Sequence, residues 1–241
     1  MDGKVAVSAQ GTASQEREAT CALAFDEVLE GSSMRQTVRT IDTTVCLDLN
    51  SDEFLTLLSN SSPIVQGLFR MFLGHRSAAG RGKILRTTAS NPAEWSSSAM
   101  LTPIEKTMAL QNVPIFSRAT ADHLLALAAI THQLPFTADG RLLVEGDRPA
   151  IHIVLSGQLS LEPPAGGEPV SARPGDIVGT YETLGGEQMG WRTRTVEPGS
   201  VLRIDRDEFF DLLADNVDLL QGIFSVLVRE SAAVSAAAAG L

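Results

Sequence analysis

The sequence predicts a mainly β fold flanked by helices: a small barrel with α-helical segments before and after it. Three observations carry this. From Gly140 to about Ile204, short apolar runs such as Ile151-His152-Ile153-Val154-Leu155 are broken by Gly and Pro, the punctuation of short strands. After Asp205 the spacing changes abruptly to a helical one, with Phe209, Leu212 and Leu213 on one side. The chain also repeats itself, so the same unit is present twice, once in part and once in full.

The elements of the full unit follow in order. Thr102-Pro103-Ile104-Glu105 reads as a capping box with proline at the first helical position, opening a helix to about Gln111. After Val113-Pro114, Thr120 caps a second helix with Leu124, Leu127 and Ala128 on its apolar face. Strands then run to about Ile204, separated by turn signals at Asp139-Gly140, Glu145-Gly146-Asp147 and the Pro/Gly-rich stretch near residue 165. Asp205 with Glu208 signals another cap. Asn216 opens a last helix carrying Leu220, Ile223, Phe224 and Leu227.

The repeat is read by matching residues. Asp52-Glu53-Phe54 matches Asp207-Glu208-Phe209, Leu57-Leu58 matches Leu212-Leu213, Gln66-Gly67 matches Gln221-Gly222, and Phe69 matches Phe224. Upstream, Gly3-Lys4-Val5 falls on Gly157-Gln158-Leu159, and Thr37-Val38 on Thr195-Val196. The first copy has no counterpart of residues 101–155, so the chain is expected to begin inside a domain, as part of a larger protein. A half barrel exposes strand edges, so other segments or chains are expected to cover the first lobe. The expected boundaries are 1–74 for the partial copy, 75–100 for a linker, 101–235 for the complete copy and 236–241 for a tail.

Composition narrows the function. The 241 residues carry a net charge of −10, which argues against nucleic-acid binding, since neutralising phosphates needs a basic face. Residues 101–241 hold 10 basic and 18 acidic groups, so an anion site there must be locally arranged. The linker is the exception: Arg76, Arg81, Lys83 and Arg86 lie in an acid-free stretch, read as solvated linker or as a basic strip. Cys21 and Cys46, far apart and without a CxxC motif, suit a reducing compartment. No run approaches the ~20 apolar residues of a membrane span, and the N-terminus lacks the basic leader and apolar block of a signal peptide. A cytoplasmic location is expected.

The succession of Pro174-Gly175-Asp176, Ile177-Val178-Gly179, Trp191-Arg192-Thr193 and Ile204-Asp205-Arg206 resembles the cyclic nucleotide-binding domain family, of the catabolite activator and kinase A regulatory subunit type. The resemblance implies a double-stranded β-helix, or jelly-roll, barrel with N- and C-terminal helices, and a ligand of the cAMP or cGMP class. It implies a regulatory module whose C-terminal helices, here about Asn216 to Arg229, respond to occupancy. Such a ligand is a monoanion on a rigid ribose ring. It calls for backbone N–H groups at a helix start, a cation for the phosphate and an acceptor for the ribose hydroxyl.

By that resemblance the ligand-binding residues are Gly179, Thr180, Tyr181, Glu182, Trp191, Arg192 and Thr193. Arg192 stands at the family's phosphate arginine and is expected to point into the pocket. Thr180 replaces the family's glutamate, and Arg194 replaces an alanine. A neutral hydroxyl accepts a weaker bond than a carboxylate, whose charge-assisted contact contributes about 1.5–3 kcal/mol. Glu182, two positions on, lies on a different face of the helix. The first copy, Thr20 to Arg35, has no Gly-Glu pair; Asp26 and Glu27 put negative charge where a phosphate would sit, and Arg35 lies near the arginine position. That copy is read as non-binding.

The four histidines show no metal-ligand spacing, and His152 reads as a core strand residue. No nucleophile elbow or phosphate loop is present, so neither an enzyme nor a catalytic cofactor is expected. A transcription factor would need a helix-turn-helix after residue 230. Two readings stay open: a regulatory cyclic nucleotide-binding module, or a degenerate, non-binding domain of the same fold acting as a structural or docking unit.

Overall fold

A computed structural model describes residues 3–9, 14–18, 21–33, 35–74, 99–137, 148–163, 166–186 and 191–238. The strip with Arg76, Arg81, Lys83 and Arg86, the turns at Asp139-Gly140 and Glu145-Gly146-Asp147, and Glu187 lie outside the described residues. The chain divides into two compact units, Met1–Leu57 and Leu58–Leu241.

In the first unit, β1 (Lys4–Ala9) lies between β2 (Gln15–Glu18) and β3 (Gln36–Thr40) in an antiparallel sheet. A short helix, α1 (Phe25–Glu30), links β2 to β3. Lys4 and Glu18 close one end of the sheet with a 2.7 Å ion pair on opposed residues, which raises the lysine pKa and lowers the glutamate's. Helix α2 (Ser51–Ser59) follows, its start capped by Asn50, whose Oδ1 accepts from the Glu53 amide at 2.8 Å.

The second unit opens with α3 (Ser62–Gly74), followed by α4 (Pro103–Gln111), a 3₁₀ turn at Pro114–Phe116 and α5 (Ala121–Ala129). Both expected caps are formed. Thr102 accepts from Glu105 N, and the Glu105 carboxylate takes the Thr102 amide and hydroxyl, each at 2.8 Å. These two bonds, the backbone one foremost, hold the Glu105 pKa below its ordinary value. Thr120 and His123 form the equivalent box on α5, which buries Leu124, Leu127 and Ala128.

The barrel is built on two long strands. β5 (Ala150–Glu162) and β8 (Arg192–Asp205) pair along nearly their whole length, β4 (Thr131–Phe136) flanks β8, and β6 (Val170–Ala172) and β7 (Ile177–Val178) flank β5, all antiparallel. Phe136, Val154, Leu159, Leu161, Ala172, Val178 and Val201 fill the interior. Beyond β7 come α6 (Thr180–Gly185) and, after β8, α7 (Arg206–Asp215) and α8 (Val217–Ala238). Helix α8 thus runs into the segment expected to be a tail.

Two expectations change. Asp205 stands at the N-cap position of α7 without a side-chain cap bond, because its carboxylate takes the Arg203 guanidinium at 2.6 and 2.8 Å instead. The boundary also moves. Helix α3, expected with the first lobe, buries Val65, Leu68, Phe69, Phe72 and Leu73 within the second unit. Its Phe69 ring lies 5.8 Å from Phe210 and 6.0 Å from Phe224, and Phe72 lies 4.4 Å from Phe224. That aromatic burial outweighs proximity in sequence.

Element starts recur at a fixed interval: β2 and β6 at 15 and 170, α1 and α6 at 25 and 180, α2 and α7 at 51 and 206, α3 and α8 at 62 and 217, each 155 apart. Strand pairing is offset by one residue from this interval: Val5 opposes Thr40 in the first unit, while Leu159, 154 residues after Val5, opposes Thr195, 155 after Thr40. The interval between element starts puts Thr40, not Thr37, at the place of Thr195. Arg39 then corresponds to Arg194, and Thr37 to Arg192. Arg35 falls before the strand, paired with Glu30.

Candidate functional site

The cassette from Pro174 to Gly186 is held to the barrel by backbone bonds. Gly175 N donates to Val154 O at 2.8 Å, and Val154 N donates to Asp176 O at 3.0 Å, so the turn is latched onto β5. The buried Asp176 carboxylate accepts from the Arg173 amide at 2.9 Å and closes the turn on itself. Two residues of β7 then deliver the chain to Gly179, whose φ of +84° turns it into α6. A Cβ there would stand 2.4 Å from Ala150 O, so only glycine allows this approach.

Helix α6 is fixed at both ends. The Thr183 amide and hydroxyl both donate to Gly179 O, at 2.9 and 2.7 Å. At the far end Arg206 Nε donates to Thr183 O at 2.9 Å, while its guanidinium lies 4.8 Å over the Phe210 ring. Burial pushes the Arg206 pKa below its ordinary value, partly offset by Asp207. Leu73 of α3 lies 3.7 Å from a Cβ placed on Gly185, so α3 borders the cassette as well.

The expected site residues fall into two groups. Gly179, Thr180, Tyr181 and Glu182 come together at the start of α6, with Tyr181 and Glu182 half-buried. Thr180 is 2 % exposed, and its Oγ1 has no hydrogen-bond partner among the described residues. Beside it, His152 is buried on β5, opposite Val178 and Arg203, the core position expected of it.

The second group lies on β8. Trp191 is half-buried and packs on the barrel core. Thr193 opposes Leu161 and Thr195 opposes Leu159, so both threonines share the interior face with those buried leucines. The Thr195 hydroxyl donates to Thr137 O at 2.6 Å. Arg192 opposes Glu162 and Arg194 opposes Ser160 on the other face. Both arginines are exposed, and Arg192 has no ion pair among the described residues. The expectation that Arg192 points inward is not met: strand alternation turns Thr193 in and Arg192 out.

The 155-residue interval between element starts sets residues 24–31 of the first unit against residues 179–186. Ala24, at the place of Gly179, has φ of +61°, the one non-glycine residue in that region among those described. Phe25 stands where Thr180 does. Gly31 ends α1 as Gly186 ends α6, with φ of +63° and +73°. The Glu27 side chain is 3 % exposed, so an acid occupies the interior of this cassette.

Folding also gathers His132, Asp205 and Glu208, with ligand atoms within 4.8 Å of one another, although their sequence spacing carries no metal signal. Arg203 already holds the Asp205 carboxylate there, which opposes a second cation. No helix among the described residues is long and apolar enough to cross a membrane.

Residues 133–216 match the family model described as the cyclic nucleotide-binding domain. No curated protein matches. Among solved structures, the catabolite activator protein of Thermus thermophilus is 20% identical over 51% of this chain and 60% of its own length, with a TM-score of 0.43. A regulatory subunit of a cAMP-independent protein kinase A from Trypanosoma brucei is 17% identical over 96% of this chain and 69% of its own, TM-score 0.43. A cyclic nucleotide-binding-like protein from Brucella abortus is 24% identical over 45% of this chain and 97% of its own, TM-score 0.39. The Pro-Gly-Asp turn, left-handed Gly179 and short helix before a long returning strand all lie within the segment 133–216 that matches the cyclic nucleotide-binding domain model.

Proposed function

We propose that the second unit is a regulatory module that takes a cyclic nucleotide, cAMP or cGMP, against the cassette opening at Gly179, and acts by binding rather than catalysis. The observation that carries this reading is the buried Thr180 hydroxyl, without a partner among the described residues, directly after a glycine that admits no side chain. Leaving a buried hydroxyl unpaired costs about 1–3 kcal/mol, which a ribose hydroxyl seated there would offset. The phosphate lies against the amides that follow Gly179, and Arg192 turns over the barrel rim to meet it. Occupancy passes from α6 through Arg206 to α7 and α8. Residues 1–57 form a partial copy of the same unit that binds no nucleotide, and the protein works in the cytoplasm as part of a larger regulated assembly.

A second reading is favoured by one observation, the outward set of Arg192 and Arg194. With no inward cation, the unit serves as a docking scaffold and binds no cyclic nucleotide. Titrating cAMP and then cGMP into the full chain carrying Trp95→Phe leaves Trp191 as the fluorescent reporter. A saturable change that Arg192→Ala abolishes supports the binding reading. A flat response up to millimolar ligand selects the scaffold.

A further inference from the structure

Helix α7 buries Phe209, Phe210, Leu213 and Ala214 and turns Asp207, Glu208, Asp211 and Asp215 to solvent. Asp207, Asp211 and Asp215 recur every four residues, a stripe about 12 Å long on one face of the helix. The helix's one basic residue, Arg206, is turned to α6 and Phe210. Glu208 meets His132 at 3.7 Å, and Asp207 meets Arg148 at 3.8 Å and Arg206 at 3.9 Å. Asp211 and Asp215 have no ion pair among the described residues. Like charges four residues apart repel, and carboxylates in a last turn oppose the helix dipole. The stripe works against the helix that carries it unless a cation covers it.

The chain carries such cations nearby. Residues 75–98, outside the described residues, hold Arg76, Arg81, Lys83 and Arg86 with no acid before Glu94. Both ends of that segment are fixed beside the start of α7. Before it, Leu73 lies 3.7 Å from a Cβ placed on Gly185, and a Cβ placed on Gly186 lies 3.3 Å from the guanidinium of Arg206, which opens α7. After it, the Gln133 side chain accepts from the Leu101 amide at 2.7 Å and donates to Ala99 O at 3.2 Å, and the adjoining His132 reaches Glu208. From the two anchors and the opposed charges we infer that the basic segment 76–86 docks on the acidic face of α7. In an extended chain Arg81 and Lys83 stand on one side about 6.6 Å apart, close to the rise of about 6 Å between Asp211 and Asp215. Tethering at both ends gives the segment an effective concentration on the order of millimolar, which a foreign basic segment would have to exceed. The contact is between exposed charges, so salt weakens it. This inference does not depend on nucleotide binding.

Two measurements on the full chain read the contact. Zero-length carbodiimide coupling at low salt should join Lys83 to Asp211 or Asp215 by an amide, located by peptide mass, within one chain and at a rate independent of protein concentration. Trypsin should cut after Arg81, Lys83 and Arg86 at least tenfold faster in a chain carrying Asp207→Asn, Asp211→Asn and Asp215→Asn than in the parent, and added salt should erase the difference. All three aspartates are exposed, so the substitutions leave the fold intact, checked by an unchanged circular dichroism spectrum. Equal cleavage of the two chains at low salt, no link from Lys83 to α7, or coupling that grows with protein concentration would each overturn the inference.

Discussion

Two single positions carry most of the local chemistry. Thr180 sits where the family resemblance expects a glutamate, buried and neutral. Replacing it with glutamate supplies a charged acceptor in place of a hydroxyl, so if the cassette takes a ribose, affinity for cAMP should rise about tenfold to a hundredfold. The Trp191 titration reads this directly, and a Thr180→Glu variant that binds no better than the parent would place the ribose elsewhere. Ala24 tests the first cassette from its backbone alone. Its left-handed conformation costs an L-residue about 1–2 kcal/mol, which glycine avoids at some loss of chain entropy. Ala24→Gly is therefore expected to stabilise the first unit by up to about 1 kcal/mol, measured by chemical denaturation.

At the scale of elements, α6 and α7 are joined by one side chain. Arg206 donates to the last turn of α6 from the first residue of α7 and lies over Phe210, so the two helices share a fixed geometry. A charged donor to a carbonyl contributes about 1.5–3 kcal/mol, and the ring contact adds up to about 2. Arg206→Ala should lower stability by about 2–3 kcal/mol. Arg206→Lys, which keeps charge but not the fork or the stacking plane, should recover only part of that. Equal stability of the parent and Arg206→Ala in urea would show that the bond carries no weight. Helix α7 was legible in the cap signal at Asp205 and the helical spacing after it, and α6 only through the family resemblance; their joint was not, because it depends on the distance between segments 23 residues apart.

On the scale of the molecule, the main departure from expectation is the placement of α3. Its sequence repeats that of α8, yet its five buried apolar residues lie in the second unit, next to α6, α7 and α8. Phe69→Ala removes the contacts to Phe210 and Phe224 and leaves a cavity among aromatic rings, at a cost of about 3–5 kcal/mol. The thermal transition of the second unit should fall accordingly. If that transition is unmoved while only the first unit weakens, α3 belongs to the first unit in solution.

The sequence by itself determined the caps at Thr102 and Thr120, the order of strands and helices, and the Gly179 turn. These are local matters, set by hydrogen-bonding side chains, hydrophobic period and the need for glycine where a Cβ would collide. Tertiary structure alone decided that Arg192 faces outward, that Asp205 serves Arg203 instead of a helix end, and that α3 joins the second unit. Each depends on what lies across space: a strand register that turns successive side chains to opposite faces, a competing cation, and a set of aromatic rings that closes around Phe69. A motif specifies which groups are present. Only the pairing of β5 with β8 specifies which of them the interior receives.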